Sequence, residues 1–302
     1  MAKPAIFVGP EAEDHLVAAV REGGGEPAAA PEDADAVVWA DHDPDALPQL
    51  PERVRWVQLP SAGVEAWMAS GVVDGRRTWT SAAGAYATSV AEHALALLLA
   101  GARRLADAAR ATSWGAQPGH GLAGRTVAIV GAGGIGRELI ALLAPLGTEI
   151  IAVTRRGRPV EGASTTLPAD RADEVWPAAD YVVIAAPATA DTQHLVGAEQ
   201  LDAMRDHAWL VNIARGSLVD TGALTEALAA GTIGGAALDV TDPEPLPDGH
   251  PLWHEPRALI TPHAANPEPV YQRALAERVR ENVARFAAGD ELVGRIDPDA
   301  GY

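Results

Sequence analysis

Cysteine is absent from the 302 residues, which removes disulfides, thiolate nucleophiles and cysteine-ligated metals from consideration. Lysine is nearly absent. Lys3 stands alone among 23 basic residues, and the rest are arginine, a skew that beside so much alanine reads as genomic base composition rather than chemistry. Positive charge is also in deficit: 41 acidic residues against 23 basic ones leave a net charge of -18. Nucleic acids and anionic membranes recruit clustered positive charge, so neither is an expected partner. A small anionic substrate stays open, because a few arginines suffice to make a local pocket. No apolar run nears the roughly 20 residues that span a bilayer; the longest is "ALALLLAGA", Ala94 to Ala102. The opening "MAKPAIFVGP" lacks a charged-then-apolar signal pattern and meets Gly-Pro early. The expected location is therefore the cytoplasm. Fixed-period repeats and low-complexity tracts are missing too.

What is present is ordinary for a globular chain of one large or two medium domains, with 48% apolar and 21% charged residues. "AIFVG" (Ala5 to Gly9), "AVVWA" (Ala36 to Ala40) and "VRWVQLP" (Val54 to Pro60) read as buried parallel strands. "SVAEHALALLLAGARRLADAAR", Ser89 to Arg110, reads as one long helix apolar on more than one face. After "GLAGR" a second strand-helix series begins: "TVAIVG", "EIIAVT", "YVVIAAP", "AWLVNIA", "GGAALDV" and "ALITPH". Such alternation implies a parallel sheet covered by helices on both faces. "PEPVYQRALAERVRENVARFAAG", Pro267 to Gly289, closes the series as a charged amphipathic helix.

"TVAIVGAGGIGREL" places G-x-G-x-x-G at Gly131, Gly133 and Gly136 between a strand and a helix. Gly131 permits the tight turn, Gly133 lets the backbone approach a pyrophosphate, and Gly136 lets helix and strand pack closely. Gly134 and Ile135 open the helix, whose unpaired N–H groups suit phosphate. A Gly-rich turn alone is a weak signal, but the strand-turn-helix context is the one dinucleotide binding requires. NAD sites usually carry an acidic residue near the end of the next strand. This chain offers Thr154, Arg155 and Arg156 instead, with Arg158 close by. A hydroxyl and guanidinium groups suit a 2′-phosphate, so NADP is preferred over NAD, although arginines on a solvated surface would look the same.

Three further strands end on polar groups. "LVNIARGSLVD" carries Arg215, followed by Gly216; "ALDVTDPEPL" carries Asp239 and Glu244; "LITPHAA" carries His263. Each side chain should emerge at a carboxyl end of the sheet, the edge where open α/β sheets bind ligands. Taken singly, Arg215 could be a strand-end salt bridge, His263 a structural histidine, and Glu244, between Pro243 and Pro245, an idle loop carboxylate. Together they have the composition of a mutually supporting site.

With "WVQLPSAGVE" and "VAEHALALLL" preceding them in order, these motifs make the chain resemble, over nearly its whole length, the D-isomer-specific 2-hydroxyacid dehydrogenases. "TRRGRP" and "WVQLPSAGVE" look most like the short glyoxylate and hydroxypyruvate reductases. The resemblance implies two doubly wound parallel-sheet α/β domains: a flavodoxin-like substrate domain, residues 1–94 with 268–302, and a Rossmann-type cofactor domain, residues 95–267. It implies that Arg215 binds and polarises a small 2-oxo acid, that His263 is the acid/base, and that Glu244 is its partner. Asp239 would lie near the nicotinamide end of the cofactor and Pro187 beside the adenosine or ribose. The backbone N–H groups of Ala62 and Gly63 would receive the substrate carboxylate, and a homodimer is the expected assembly. Trp114 would line the pocket across a dimer interface or serve as a structural tryptophan. Hydride arriving at a 2-oxo carbon creates negative charge on oxygen, which a protonated histidine is suited to meet; a neighbouring carboxylate favours that imidazolium. Two other readings stand beside this one. One is a nucleotide-sensing protein like the corepressors that resemble the family; the other is a formate or phosphite dehydrogenase. Formate enzymes of this type usually carry glutamine where Glu244 stands.

Overall fold

The computed structural model describes residues 3–115 and 119–297, so the last five residues of the expected 268–302 segment lie outside it. The chain divides into two compact units, Met1–Tyr86 with Pro267–Tyr302, and Ala87–Asn266.

The first unit is built on five parallel strands: β1 (Ala5–Gly9), β2 (Glu26–Ala28), β3 (Ala36–Trp39), β4 (Trp56–Gln58) and β5 (Thr78–Thr80). They lie in the order β2-β1-β3-β4-β5, with Val8 opposite Val38 and Val37 opposite Val57. The inner strands β3 and β4 are buried at every position, which is why they read as continuous apolar runs. The edge strands β2 and β5 were not legible: "EPA" and "TWT" are too short and too polar to register. The third run, expected from Val54 to Pro60, contracts to the three residues of β4. The C-terminal helix Glu268–Ala288 packs against Asp14–Glu22 and buries Leu275, Arg278, Val279, Asn282 and Val283. That spacing is one face of a 3.6-residue helix. Its two polar members are satisfied: Arg278 donates to the carbonyls of Ser81 and Ala83, and Asn282 donates to Gln58 and Val293.

The second unit holds seven parallel strands: β6 (Thr126–Val130), β7 (Glu149–Thr154), β8 (Thr165–Pro168), β9 (Tyr181–Ile184), β10 (Trp209–Asn212), β11 (Gly235–Leu238) and β12 (Ala258–Ile260). Their order is β12-β11-β10-β9-β6-β7-β8. Winding runs outward from β6 to β8, then returns to β9 and runs outward the other way. The reversal between β6 and β9 is the switch point at whose carboxyl edge such sheets bind dinucleotides. Alternate strand residues feed separate cores. Ala128, Val130, Val182 and Ile184 join one, while Val127, Ile129, Tyr181 and Val183 join the other, so both faces are covered. Edge strand β8, "TTLP", is a third that the pattern did not announce.

The expected helix Ser89–Arg110 is two helices, Ala87–Ala102 and Leu105–Arg110. Arg104 takes φ +51° between them, and the amide of His120 donates to the Ala102 carbonyl at 2.6 Å. A contact from far along the chain thus ends the first helix, and an alanine-rich pattern carries no trace of it. Among the described residues no helix is long and apolar enough to cross a membrane.

Candidate active site

The glycine-rich turn joins β6 to the helix Gly134–Leu143. Gly131 has φ +104°, and a Cβ there would sit 2.4 Å from the Ala186 nitrogen. Only glycine fits that turn, wedged against the end of β9. At Gly136 a Cβ would lie 2.6 Å from the Gly131 carbonyl oxygen and 3.2 Å from Ile129, which is the close helix-strand approach expected. Gly133 differs: nothing lies within 4 Å of a Cβ built there. The first backbone bond of the helix runs from Arg137 N to Gly133 O at 3.0 Å. The amides of Gly134, Ile135 and Gly136 therefore belong to the first turn, which has no intrahelical acceptor. Open space beside unpaired N–H groups is a cradle that fits a pyrophosphate.

At the end of β7, the Thr154 hydroxyl is buried without a hydrogen-bond partner. A buried polar atom is ordinarily satisfied, so this one points to a ligand oxygen. Arg155, Arg156 and Arg158 follow it and are exposed. Pro187, three residues past β9, is exposed too, and its carbonyl accepts from the Thr192 hydroxyl at 2.8 Å.

Three loops at the same sheet edge carry the other polar residues. Asn212, fully buried at the end of β10, donates to the Arg215 carbonyl at 2.9 Å and accepts from Ala214 N at 3.1 Å. This folds a tight turn that presents Arg215, half-buried, with its Nη1 donating to the Ala214 carbonyl at 2.8 Å. Gly216 follows because the neighbouring loop leaves no space for a side chain there. A Cβ there would meet the Thr241 carbonyl, whose oxygen lies 1.9 Å from that position, so the loops after β10 and β11 touch backbone to backbone.

The loop after β11 carries Asp239 and Glu244. Thr221 Oγ1 donates to the Asp242 carbonyl at 2.6 Å and Thr241 Oγ1 to that of Pro243 at 2.9 Å, fixing the approach to Glu244. The loop after β12 carries His263, whose Nδ1 lies 2.7 Å from Glu244 Oε1. Both side chains are about half exposed, 53% and 42%, so the pair is reachable by a small molecule. His263 has φ +50°, and its amide donates to the Asp239 and Thr261 carbonyls at 2.8 and 3.0 Å.

Asp239 is 2% exposed and its carboxylate is taken up by protein. Oδ1 accepts from Thr261 Oγ1 at 2.6 Å and Ala264 N at 2.8 Å, and Oδ2 accepts from Ala265 N at 3.1 Å. Burial pushes its carboxyl pKa up, but His93, Thr261 and the Ala264 amide outweigh that and hold it below its ordinary value. Asn212, Thr261 and His93 do not stand out in the sequence as site residues. Each is a polar residue inside an otherwise apolar motif, and that was the available signal.

In the first unit, Ala62 is exposed and Gly63 half-buried on the turn after β4. Tyr86 Oη donates to the Pro60 carbonyl at 2.6 Å and Ala82 N to that of Ser61 at 2.8 Å, holding the turn in place. Trp114 is fully exposed, so it is no part of this chain's own core.

Residues 95–265 match the family described as D-isomer specific 2-hydroxyacid dehydrogenase, NAD binding domain. The chain belongs to that family. Like its other members it is an NAD(P)-dependent oxidoreductase. Among its relatives is an uncharacterized protein from the proB 3′ region of Corynebacterium melassecola, 43% identical over 94% of this chain and 95% of that protein. The glyoxylate reductase of Aeropyrum pernix is 36% identical over 70% of this chain and 66% of the reductase, so the chain matches just under two thirds of that relative's length. An NADPH-dependent glyoxylate/hydroxypyruvate reductase from Sinorhizobium meliloti, solved with NADP and sulfate, has a similar structure. Its TM-score is 0.83 at 26% identity, covering 99% of this chain and all of the other.

Proposed function

We propose that the protein reduces a small 2-oxo acid of the glyoxylate or hydroxypyruvate class to a D-2-hydroxy acid, with NADPH preferred over NADH. The observation that carries this is the 2.7 Å contact between His263 Nδ1 and Glu244 Oε1, on loops at the carboxyl edge of the sheet that bears the glycine-rich turn. When bound, the dinucleotide supplies a hydride. Everything else falls to the chain. Nδ1 donates to the Glu244 carboxylate, which leaves Nε2 as the nitrogen that faces the substrate. The carboxylate stabilises the imidazolium, and Nε2 delivers a proton to the oxygen as charge develops there. Arg215 binds the substrate's carboxylate with its planar fork and polarises the carbonyl. Ala62 and Gly63 carry amides suited to a substrate carboxylate, and the unit that contains them is the substrate-binding one.

On the nucleotide side, the amides of Gly133, Gly134, Ile135 and Gly136 hold the pyrophosphate, and Pro187 flanks the ribose. Thr154, Arg155 and Arg156 take the 2′-phosphate; the buried, unpartnered Thr154 hydroxyl and the missing carboxylate favour NADP. Asp239 serves the nicotinamide end by fixing the loop beneath it. A cytoplasmic homodimer belongs to the same proposal, and the exposed Leu99, Leu105 and Trp114 of the second unit supply apolar surface for it.

The test follows NADPH and NADH consumption over glyoxylate, hydroxypyruvate, pyruvate and branched 2-oxo acids. Turnover of the smallest acids with NADPH is the expected result. Tight nucleotide binding without turnover of any of them would favour the sensor reading, and oxidation of formate or phosphite the other dehydrogenase reading.

A further inference from the structure

Ser89 and His93 stand four residues apart on the helix Ala87–Ala102 and so share one of its faces. Both reach the loop that carries His263. Ser89 Oγ donates to the Ala265 carbonyl at 2.9 Å. His93 Nε2 lies 3.0 Å from Thr261 Oγ1 and 3.2 Å from Asp239 Oδ1. The protonation at these contacts follows from donor counting. Thr261 Oγ1 has one proton, and the carboxylate oxygen 2.6 Å away can only accept it. The hydroxyl is therefore left as an acceptor toward His93, whose Nε2 must carry the hydrogen and share it between hydroxyl and carboxylate.

That N–H secures the hub of the loop. Asp239 holds the amides of Ala264 and Ala265 with its carboxylate and the amide of His263 with its carbonyl. Thr261 is two residues ahead of His263. Between these anchors His263 occupies φ +50°, a region that a non-glycine residue holds only when its surroundings insist. Remove the His93 donor and Thr261 Oγ1 loses a half-buried partner, so the carboxylate and the hydroxyl are free to re-pair.

We propose that His93, supported by Ser89, is a positioning residue for His263: acting through Asp239 and Thr261, it fixes the loop that aims the imidazole at Glu244 and at the reacting oxygen. This rests on the acid/base role proposed for His263.

The test compares His93→Leu, His93→Gln and Ser89→Ala by steady-state kinetics with glyoxylate and NADPH and by amide hydrogen exchange of residues 263–265 in the nucleotide-free protein. His93→Leu is expected to lower kcat about tenfold or more, as misplacement of a reacting group does, with a smaller change in KM. The three amides should exchange about tenfold faster, as local opening becomes easier. The glutamine Nε2 can replace the imidazole donor, so His93→Gln should recover most of kcat and most of the protection. A kcat for His93→Leu within about twofold of wild type would overturn the proposal, given the size of effect misplacement produces. So would a His93→Gln variant as slow as His93→Leu with protection intact. Should His93→Leu not fold, Ser89→Ala removes one hydroxyl from the same face and must speed exchange at Ala265 and lower kcat; no change in either refutes the idea. If the wild type turns over no 2-oxo acid, the function reading fails while exchange still decides this one, since unaltered protection in His93→Leu overturns it.

Discussion

Three glycines in one hexapeptide should respond to the same added methyl in three different ways. At Gly131 an alanine meets two penalties. The φ of +104° costs an L-residue about 1–2 kcal/mol. The Cβ position, 2.4 Å from the Ala186 nitrogen and 2.5 Å from the Ala185 carbonyl carbon, adds about 1–3 kcal/mol of overpacking against main chain that cannot rotate away. Gly131→Ala should therefore lose about 2–5 kcal/mol, which for a unit of this size lowers the melting temperature by about 5–15 °C. Gly136→Ala meets the Gly131 carbonyl, its oxygen at 2.6 Å and its carbon at 3.3 Å, and the Ile129 Cγ2 methyl at 3.2 Å, at a helical φ/ψ that suits alanine. The better helix propensity of alanine, about 1 kcal/mol, offsets part of that strain, so a loss of about 0–2 kcal/mol is expected. Gly133→Ala meets nothing within 4 Å; its φ of -78° is ordinary, but its ψ of -148° lies outside the extended and helical wells. That backbone costs an alanine about 1–3 kcal/mol, offset in part by the stiffer unfolded chain, so the loss should be about 0–2 kcal/mol, less than at Gly131.

Dinucleotide affinity should rank differently. The space that is empty of protein at Gly133 is the space a pyrophosphate needs, so a methyl that costs folding less than one at Gly131 should raise the Kd for NADPH about tenfold or more, or about 1.4 kcal/mol. Calorimetric melting of the nucleotide-free protein and fluorescence titration with NADPH separate the two effects. The reasoning is refuted if Gly133→Ala melts alongside Gly131→Ala, or if it binds NADPH as tightly as wild type.

His263→Ala should lower kcat by about a hundredfold or more, as loss of a general acid does, with the Kd for NADPH unchanged; near-normal turnover would sink the assigned role. Arg155→Ala combined with Arg156→Ala should raise the KM for NADPH far more than that for NADH, and an equal rise in both would remove the 2′-phosphate assignment. Asp180, buried at the amino-terminal edge of the second sheet, accepts from His207 Nε2 at 2.7 Å, Thr126 N at 2.8 Å and Arg205 Nη1 at 3.1 Å. Burial pushes its carboxyl up, but those donors outweigh it and hold the pKa below the ordinary 3.8. A lowered folded pKa gives stability that is present above the unfolded value and is lost as pH falls through the folded one. Wild type should therefore weaken steeply below about pH 4, where free carboxylates begin to protonate, and Asp180→Asn should flatten that limb. Urea midpoints between pH 6 and pH 3 check this, and identical acid slopes in both proteins would refute it.

Legibility followed burial. Strands covered on both faces, such as β6, β9 and β10, are apolar apart from Thr126 at the start of β6 and Asn212 at the end of β10, so their sequences announce them. Edge strands β2 and β8 are covered less, and β5 is three residues long with threonine at both ends, so none of the three leaves a pattern, whereas the edge strand β12 keeps an apolar run. The break at Arg104 is invisible for a related reason: the amide that takes over the Ala102 carbonyl belongs to His120, and no local propensity records a contact made after the chain has turned back.

The site shows a subtler limit. Each of its three loops pairs an anchor with a more exposed polar residue. Asn212 is buried and shapes the turn that presents Arg215. Asp239, buried after β11, ties down residues 264 and 265 of the next loop. Thr261, after β12, donates to Asp239 two residues ahead of His263, whose partner Glu244 stands on the β11 loop. In one dimension anchor and reagent look alike, because both are polar residues closing an apolar strand; only burial and the count of filled hydrogen-bond sites tell them apart. A carboxylate with four donors already on it has little left to offer a ligand, whereas an imidazole with one nitrogen on a glutamate keeps the other for chemistry. The same arithmetic explains why the anchors cannot be traded for apolar residues of similar size. Asn212 and Asp239 hold main-chain groups that would otherwise lose their partners, a cost of about 1–3 kcal/mol for each one that is buried. The geometry of the exposed groups is therefore inherited from residues that need never touch the substrate.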